Sequence, residues 1–174
     1  FRSDLVAQLI RFEELIEADA PMQDVLPSIY YANIDKYKGY HIRQLCQEMH
    51  DFYKDRQVST LQERLFLHDY FPEYVLNPQD ANFEFQRGKG ELVPLDEAEG
   101  RIALEGALPY PPGVLCVQPG ERWSKTACDY FLALQEGINK LPGFAPEIQG
   151  VYITPQPDGT KKAYGYVLKK EFEK

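Results

Sequence analysis

Apolar side chains recur at helical spacing in the first part of the chain, and this pattern predicts two amphipathic helices. The first spans residues 3–18, with an apolar stripe of Leu5, Leu9, Phe12 and Ile16. The second spans 40–55, with a stripe of Ile42, Leu45, Cys46, Met49 and Phe52. A third helix is predicted over 59–70, where Ser59 begins a capping arrangement. The tyrosine-rich residues 22–38 show no clean period.

The rest of the chain mixes strand-like runs with turn signals. Phe83 and Phe85 alternate with polar residues near Asn82, which predicts a strand there. The further expectations follow in chain order: a turn at 87–90, a strand at 91–93, a helical turn at 96–99, strands at 102–108 and 114–117, a long helix at 121–141, and a hairpin over 150–168 that turns at Pro157-Asp158-Gly159.

This order of elements predicts an α+β fold, because helices come first and no regular strand–helix–strand alternation follows. Helices fill the N-terminal half, and mixed β-structure with one long helix and a C-terminal hairpin fills the second half. The chain has 174 residues, 44% of them hydrophobic, which suffices for one core. Residues 1–174 are therefore expected to form a single domain.

Charge and cysteine content narrow the function classes. Asp and Glu number 27 against 19 Lys and Arg, giving a net charge of -8, so a nucleic-acid or anionic-membrane partner is not expected. No apolar run approaches the ~20 residues of a membrane span. The three cysteines are an odd, widely spaced set. Reduced thiols in a cytoplasmic protein are the simplest interpretation.

Some cysteine, histidine and glycine–lysine positions resemble metal, catalytic or phosphate sites, but a structural role is favoured for each of them. Cys46 and His50 lie one helical turn apart, but a zinc site needs three or four ligands, and no further pair has ligand spacing. Gly88-Lys89-Gly90 lacks the Ser or Thr and the following helix of a phosphate loop, so it is expected to be a turn. Cys116 and Cys128 are expected to be packing residues.

The segment Pro109-Tyr110-Pro111-Pro112-Gly113 must be stiff and extended, since proline fixes φ and removes a backbone donor. Such a loop suits a binding surface. Tyr110 either packs against another part of a larger protein or turns its hydroxyl toward a ligand cavity. Glu105 is the sole charged residue between Arg101 and Glu121, and a structural contact with Arg101 is favoured for it.

Several segments in order along the chain carry a family resemblance. They are Leu26-Pro27-Ser28-Ile29-Tyr30, Gly100-Arg101-Ile102, Leu108-Pro109-Tyr110-Pro111-Pro112-Gly113-Val114, Pro119-Gly120-Glu121, Pro142-Gly143-Phe144 and Gly150-Val151-Tyr152. Through them the chain resembles the C-terminal domain of the bacterial ornithine/lysine/arginine decarboxylases, large pyridoxal-phosphate enzymes of the aspartate-aminotransferase fold type. Within that family, residues 101–108, 119–123 and 144–150 look most like the ornithine-specific members.

The resemblance implies that the parent enzyme converts L-ornithine to putrescine and CO₂ for polyamine biosynthesis. In such enzymes the cofactor lysine follows a histidine in a Ser-x-His-Lys motif. Here Lys54 follows a tyrosine, Lys125 a serine and Lys140 an asparagine. The pyridoxal-phosphate site is therefore expected in domains upstream of this chain. Alone, the chain is expected to hold no catalytic or cofactor-binding residue and to be inert.

The resemblance also nominates a channel surface. Tyr110 is expected on the substrate side, supported by Pro109, Pro111, Pro112 and Gly113, with Glu105 nearby. The implied partners are the upstream domains of the same polypeptide, further copies in a homodimer or larger assembly, and the substrate ornithine. Two alternatives stay open: a domain of a lysine or arginine decarboxylase, and an interaction module without chemistry.

Overall fold

The computed structural model describes residues 2–110 and 113–173. Its helices are α1 (Arg2–Glu17), α2 (Met22–Val25), α3 (Pro27–Ala32), α4 (Ile34–Tyr37), α5 (Ile42–Asp55), α6 (Val58–Arg64), α7 (Pro78–Gln86) and α8 (Lys125–Lys140). Its strands are β1 (Gly90–Pro94), β2 (Leu108–Tyr110), β3 (Glu147–Gln149), β4 (Val151–Pro155) and β5 (Lys161–Leu168). Short 3₁₀ turns lie at His68–Tyr70, Leu95–Glu97 and Lys170–Phe172. The predicted α+β class is confirmed.

The strands form two antiparallel sheets. One has the order β1-β5-β4, and the other pairs β2 with β3. Helix α8 packs on β5 and on α6, and Trp123 and Phe131 meet edge to face in the main core. A second core cluster lies among the N-terminal helices. The Tyr37 hydroxyl of that cluster donates to the Pro142 carbonyl at 2.8 Å, which ties α4 to the end of α8.

The first two predicted helices are confirmed as α1 and α5. The third is confirmed only in its first part, because α6 ends at Arg64 and a 3₁₀ turn follows. The predicted cap at Ser59 is wrong. The N-cap of α6 is Gln57, which lies in the left-handed region with φ of 52° and makes no side-chain capping bond.

The strand predicted near Asn82 is wrong, since these residues lie in α7. Asn77 caps this helix by accepting a hydrogen bond from the Asp80 backbone amide at 2.8 Å, and proline occupies the first helical position. The alternation of Phe83 and Phe85 therefore does not reflect a strand. Phe83 is exposed, whereas the Phe85 ring packs against the Tyr166 ring, tilted by 60°, with ring centroids 4.8 Å apart.

The strands predicted at 102–108 and 114–117 are also wrong. These residues form crossing loops joined by single bridges, such as Ala107 with Val117, and regular pairing begins only at β2. The long helix starts at Lys125 rather than at 121, because Ser124 caps it by accepting from the Ala127 amide at 3.2 Å.

The remaining predictions for the second half are confirmed with adjusted limits. The strand at 91–93 lies within β1, and the helical turn expected at 96–99 is the 3₁₀ turn at Leu95–Glu97. The turn at 87–90 exists, but it follows α7 instead of joining two strands. The C-terminal hairpin consists of β4 and β5, and Gly159 supplies the positive φ of 84° at its turn.

Candidate functional site

The short β2–β3 ribbon holds the proline-rich loop. Its register sets Pro109 opposite Ile148 and Tyr110 opposite Glu147. Pro109 is buried and Ile148 packs against the main core. Because strand neighbours point to opposite faces, Tyr110 and Glu147 share the outer face. Tyr110 is 54% exposed there.

The loop beyond Tyr110 closes on itself. The Gly113 amide donates to the Pro109 carbonyl at 3.0 Å, and Gly113 has a φ of 77° that favours glycine. Pro111 and Pro112 of the expected channel surface lie outside the described residues. The Tyr110 hydroxyl makes no hydrogen bond with residues 2–110 or 113–173. Its ring and hydroxyl are therefore free to meet a ligand or another part of a larger protein.

The backbone beside the ribbon also requires a glycine. At Gly150, between β3 and β4, φ is 72°, and a Cβ atom would lie 1.9 Å from the Gly106 carbonyl oxygen. Only glycine permits this approach. The contact fixes the loop that leads into β2 against the end of β3.

Glu105 has a different partner from the one expected. The Tyr152 hydroxyl donates to its Oε2 at 2.6 Å, and this hydrogen bond, with partial burial, raises the pKa of Tyr152 to about 12. Arg101 instead donates to Glu91 at 2.8 Å and to Glu173 at 3.0 Å. The predicted Arg101–Glu105 contact is therefore wrong, and Glu105 belongs to the edge of the ribbon.

The cysteines have the environments of packing residues. Burial raises the pKa of Cys116 to about 11 and that of Cys128 to about 12, so both remain protonated thiols at neutral pH. Cys46 is half-buried against the N-terminal cluster, beside the exposed His50. Within the part of the chain that the structure describes, no three His, Cys, Asp or Glu side chains group to hold a metal ion.

The lysines do not fit a pyridoxal-phosphate site. A lysine that forms a Schiff base needs a desolvated setting that lowers its pKa. Lys36 instead has a raised pKa: burial opposes the charge, but Glu48 at 2.7 Å and Tyr40 outweigh it. Lys125 pairs with Asp129 at 3.0 Å on the surface. No step through this cofactor is therefore assigned to the described residues.

A cleft of about 610 Å³ lies behind the ribbon, lined in part by His50, Tyr53, Lys54, Pro109, Tyr130 and Pro146. No local pattern predicts this cleft, because its walls come from distant segments. Glu147 and Tyr152 were likewise not predicted as site residues. The polar–apolar–polar order at 147–149 was the available signal for β3, and it is only three residues long.

Comparison with known proteins agrees with this description. Residues 59–169 match the family described as Orn/Lys/Arg decarboxylase, C-terminal domain. The chain is 65% identical over 164 residues to an ornithine decarboxylase of Haemophilus influenzae, covering 94% of this chain and 23% of that protein. It is 57% identical over 172 residues to the inducible ornithine decarboxylase of Lactobacillus sp. strain 30a, covering 99% and 23%. The structure of lysine decarboxylase A from Pseudomonas aeruginosa matches with a TM-score of 0.86 and 32% identity, covering 96% of this chain and 22% of that one.

The fold and the ribbon define an α+β domain that presents a stiffened tyrosine loop. More than half of it matches one family, and the chain belongs to the C-terminal domain family of the ornithine/lysine/arginine decarboxylases. It spans about a quarter of the length of the relatives compared, 23% in each of the two ornithine decarboxylases. Across the described ranges, no helix combines the length and apolarity needed to cross a membrane.

Proposed function

We propose that the chain is the C-terminal domain of a bacterial ornithine decarboxylase and forms one wall of its substrate channel. The proposed reaction converts L-ornithine to putrescine and CO₂. Identity supports ornithine over lysine: two ornithine decarboxylases are 65% and 57% identical to this chain, whereas the lysine decarboxylase structure is 32% identical.

The observation that carries the proposal is the exposed Tyr110 on a rigid mount. Ornithine has a methylene chain that ends in an ammonium group, so its channel needs an apolar wall and hydrogen-bond acceptors. The Tyr110 ring offers the wall, and its hydroxyl, which has no hydrogen-bond partner in the described part of the chain, offers one acceptor. The buried Pro109 and the hydrogen bond from the Gly113 amide to the Pro109 carbonyl support the position of Tyr110 on both sides.

The decarboxylation chemistry belongs, in this proposal, to the rest of the enzyme. Pyridoxal phosphate supplies an electron sink for such reactions when it is bound. Lys54, Lys125 and Lys140 are all exposed, and none of them follows a histidine. We therefore propose that this chain orients and encloses substrate, and that it neither binds the cofactor nor reacts alone.

Exposed apolar surface supports the proposed assembly. On α1 the side chains of Leu5, Leu9 and Phe12 are exposed, and only Ile16 of the predicted stripe packs against the chain's own core. Such a stripe fits burial against upstream domains of the same polypeptide and, in a homo-oligomer, near further copies. Three free cysteines support a cytoplasmic location, and the acidic net charge of -8 argues against a nucleic-acid or membrane partner.

The test is kinetic and uses the full-length enzyme. CO₂ and amine release are measured with ornithine, lysine and arginine in turn. We expect activity on ornithine, and we expect Tyr110→Ala to raise the ornithine KM more than it lowers kcat. Tyr110→Phe distinguishes the contribution of the ring to substrate binding from that of the hydroxyl, because it keeps the apolar wall and removes the hydrogen-bond acceptor.

A matched control is Tyr31→Ala, which removes another exposed tyrosine, from α3, far from β2 in sequence. It should leave both kinetic constants unchanged. An ornithine KM that stays the same in Tyr110→Ala contradicts the channel assignment. Preference for lysine or arginine by the parent enzyme contradicts the substrate assignment, and absence of product from all three favours a module without chemistry.

A further inference from the structure

We propose that Glu147 is a specificity-determining residue that binds the distal ammonium of the diamino-acid substrate together with Tyr110. This inference rests on the proposed function. It adds to the channel wall a second carboxylate besides Glu105 of the loop before β2. The two residues come from different strands and meet only through the fold.

The register of the ribbon brings the two groups together. Tyr110 and Glu147 are directly opposed in the antiparallel β2–β3 pair, and opposed residues have Cβ atoms about 4.5–5.5 Å apart on the same face. Both side chains are exposed. The two side chains carry a phenol oxygen and a carboxylate, which are acceptors that one ammonium group, with several N–H donors, can bridge.

Both acceptors have capacity to spare. The Tyr110 hydroxyl has no hydrogen-bond partner among the residues described. Among residues 2–110 and 113–173, the Glu147 carboxylate accepts one long contact, from Gln149 Nε2 to its Oε1 at 3.5 Å, and the residue is exposed. A negative charge beside an aromatic ring also suits an alkylammonium, because the ring face attracts cations.

The neighbouring carboxylate is less suited to this role. Glu105 accepts a short hydrogen bond of 2.6 Å from the Tyr152 hydroxyl, so part of its acceptor capacity is already used. Glu105 also lies in the loop before β2, without a register partner. Glu147, in contrast, lies on a ribbon whose inner face holds the buried Pro109 and Ile148, which packs against the main core.

The experiment measures the Glu147→Gln variant of the full-length enzyme against wild type. We expect the ornithine KM to rise about tenfold while kcat stays within about twofold, since a charge-assisted contact is lost before the chemical step. Product inhibition gives a second readout. The inhibition constant of putrescine against ornithine should be about tenfold higher in Glu147→Gln than in the wild type. The inhibition constant of n-butylamine, which lacks the second ammonium, should be the same in both.

Two further variants guard the interpretation. Glu171→Gln removes an exposed carboxylate from the C-terminal 3₁₀ turn and should change neither constant. Glu147→Asp keeps the charge and should recover part of the wild-type KM. The inference is overturned if Glu147→Gln lowers kcat as well as raising KM and if Glu147→Asp recovers neither constant. That result indicates that Glu147 has a structural role.

The outcomes separate this inference from the proposal beneath it. If the wild-type enzyme decarboxylates ornithine but Glu147→Gln keeps the same KM and the same preference for the diamine inhibitor, the role of Glu147 is refuted and the proposed function stands. If the wild-type enzyme does not use ornithine, both are refuted.

Discussion

Replacing Arg101 with methionine should destabilise the fold more than any loss of a surface ion pair. The Arg101 guanidinium is nearly buried and has three acceptors: Glu91 at 2.8 Å, Glu173 at 3.0 Å and the Leu168 carbonyl at 2.6 Å. It therefore joins β1, the end of β5 and the C-terminal residues. Methionine keeps the apolar stem of the side chain and removes the charge.

The magnitude follows from what each acceptor loses. The Leu168 carbonyl loses a charged donor in a buried position, which costs about 1–3 kcal/mol. Glu173 keeps Arg122 at 3.5 Å, so its loss is about 1 kcal/mol. The Glu91 side chain is 42% exposed and returns to water at a cost of about 0–1 kcal/mol. The Arg101→Met variant should therefore lose about 2–5 kcal/mol in the free energy of unfolding.

Urea unfolding of the chain, followed by fluorescence, measures this loss. The chain has one tryptophan, Trp123, which is 1% exposed and reports directly on the main core. With a slope of about 2 kcal/mol per molar urea, the urea midpoint should fall by about 1–2.5 M. The control Glu91→Gln removes only the exposed partner and should cost less than about 1 kcal/mol. If Arg101→Met shifts the midpoint no further than Glu91→Gln, the buried guanidinium does not stabilise the fold as reasoned.

Two further predictions concern α7 and the ribbon edge. Asn77→Ala removes the N-cap of α7 and should lower the free energy of unfolding, measured in urea, by about 1 kcal/mol. The control Asn82→Ala, at an exposed position of the same helix, should not lower it. Equal losses in the two variants would contradict the role of Asn77 as a cap. Glu105→Gln should lower the pKa of Tyr152 from about 12 toward its usual value near 10, as followed by tyrosinate absorbance. Because the pKa of Tyr152 is raised in the folded protein, the stabilisation from its hydrogen bond to Glu105 is present below about pH 10 and is lost toward pH 12. A tyrosinate titration that is unchanged in Glu105→Gln would refute this hydrogen bond.

Local signals in the sequence predicted the elements that depend on local physics. The stripes of α1 and α5 and the Pro157-Asp158-Gly159 turn each carry several residues of consistent pattern, and all three were confirmed. The strand prediction near Asn82 failed because two alternating aromatics are too few to set a period. The Asn77-Pro78 pair, a helix start signal, was the stronger local evidence.

The candidate site was predictable only in part, because its partners are distant in sequence. The stiffness of the loop around Tyr110 follows from its prolines, and the sequence alone reveals it. The pairing of β2 with β3 depends on the approach of Gly150 to Gly106, which no local pattern encodes. Without that register, Glu147 could not be placed opposite Tyr110, and Glu105 was left as the only carboxylate near the loop.

The α1 stripe links the sequence pattern to the proposed assembly. An apolar stripe at helical spacing ordinarily predicts a buried face, and an isolated helix of this length is marginal in water without such burial. Yet Leu5, Leu9 and Phe12 are exposed, and α1 meets the rest of the described chain mainly near its C-terminal end, where Arg43 donates to the Ile16 carbonyl at 2.7 Å. The pattern therefore predicts that this face of α1 is buried, and the described residues do not bury it. In the proposed assembly, the rest of the enzyme would cover the α1 stripe and would also enclose the exposed ring of Tyr110.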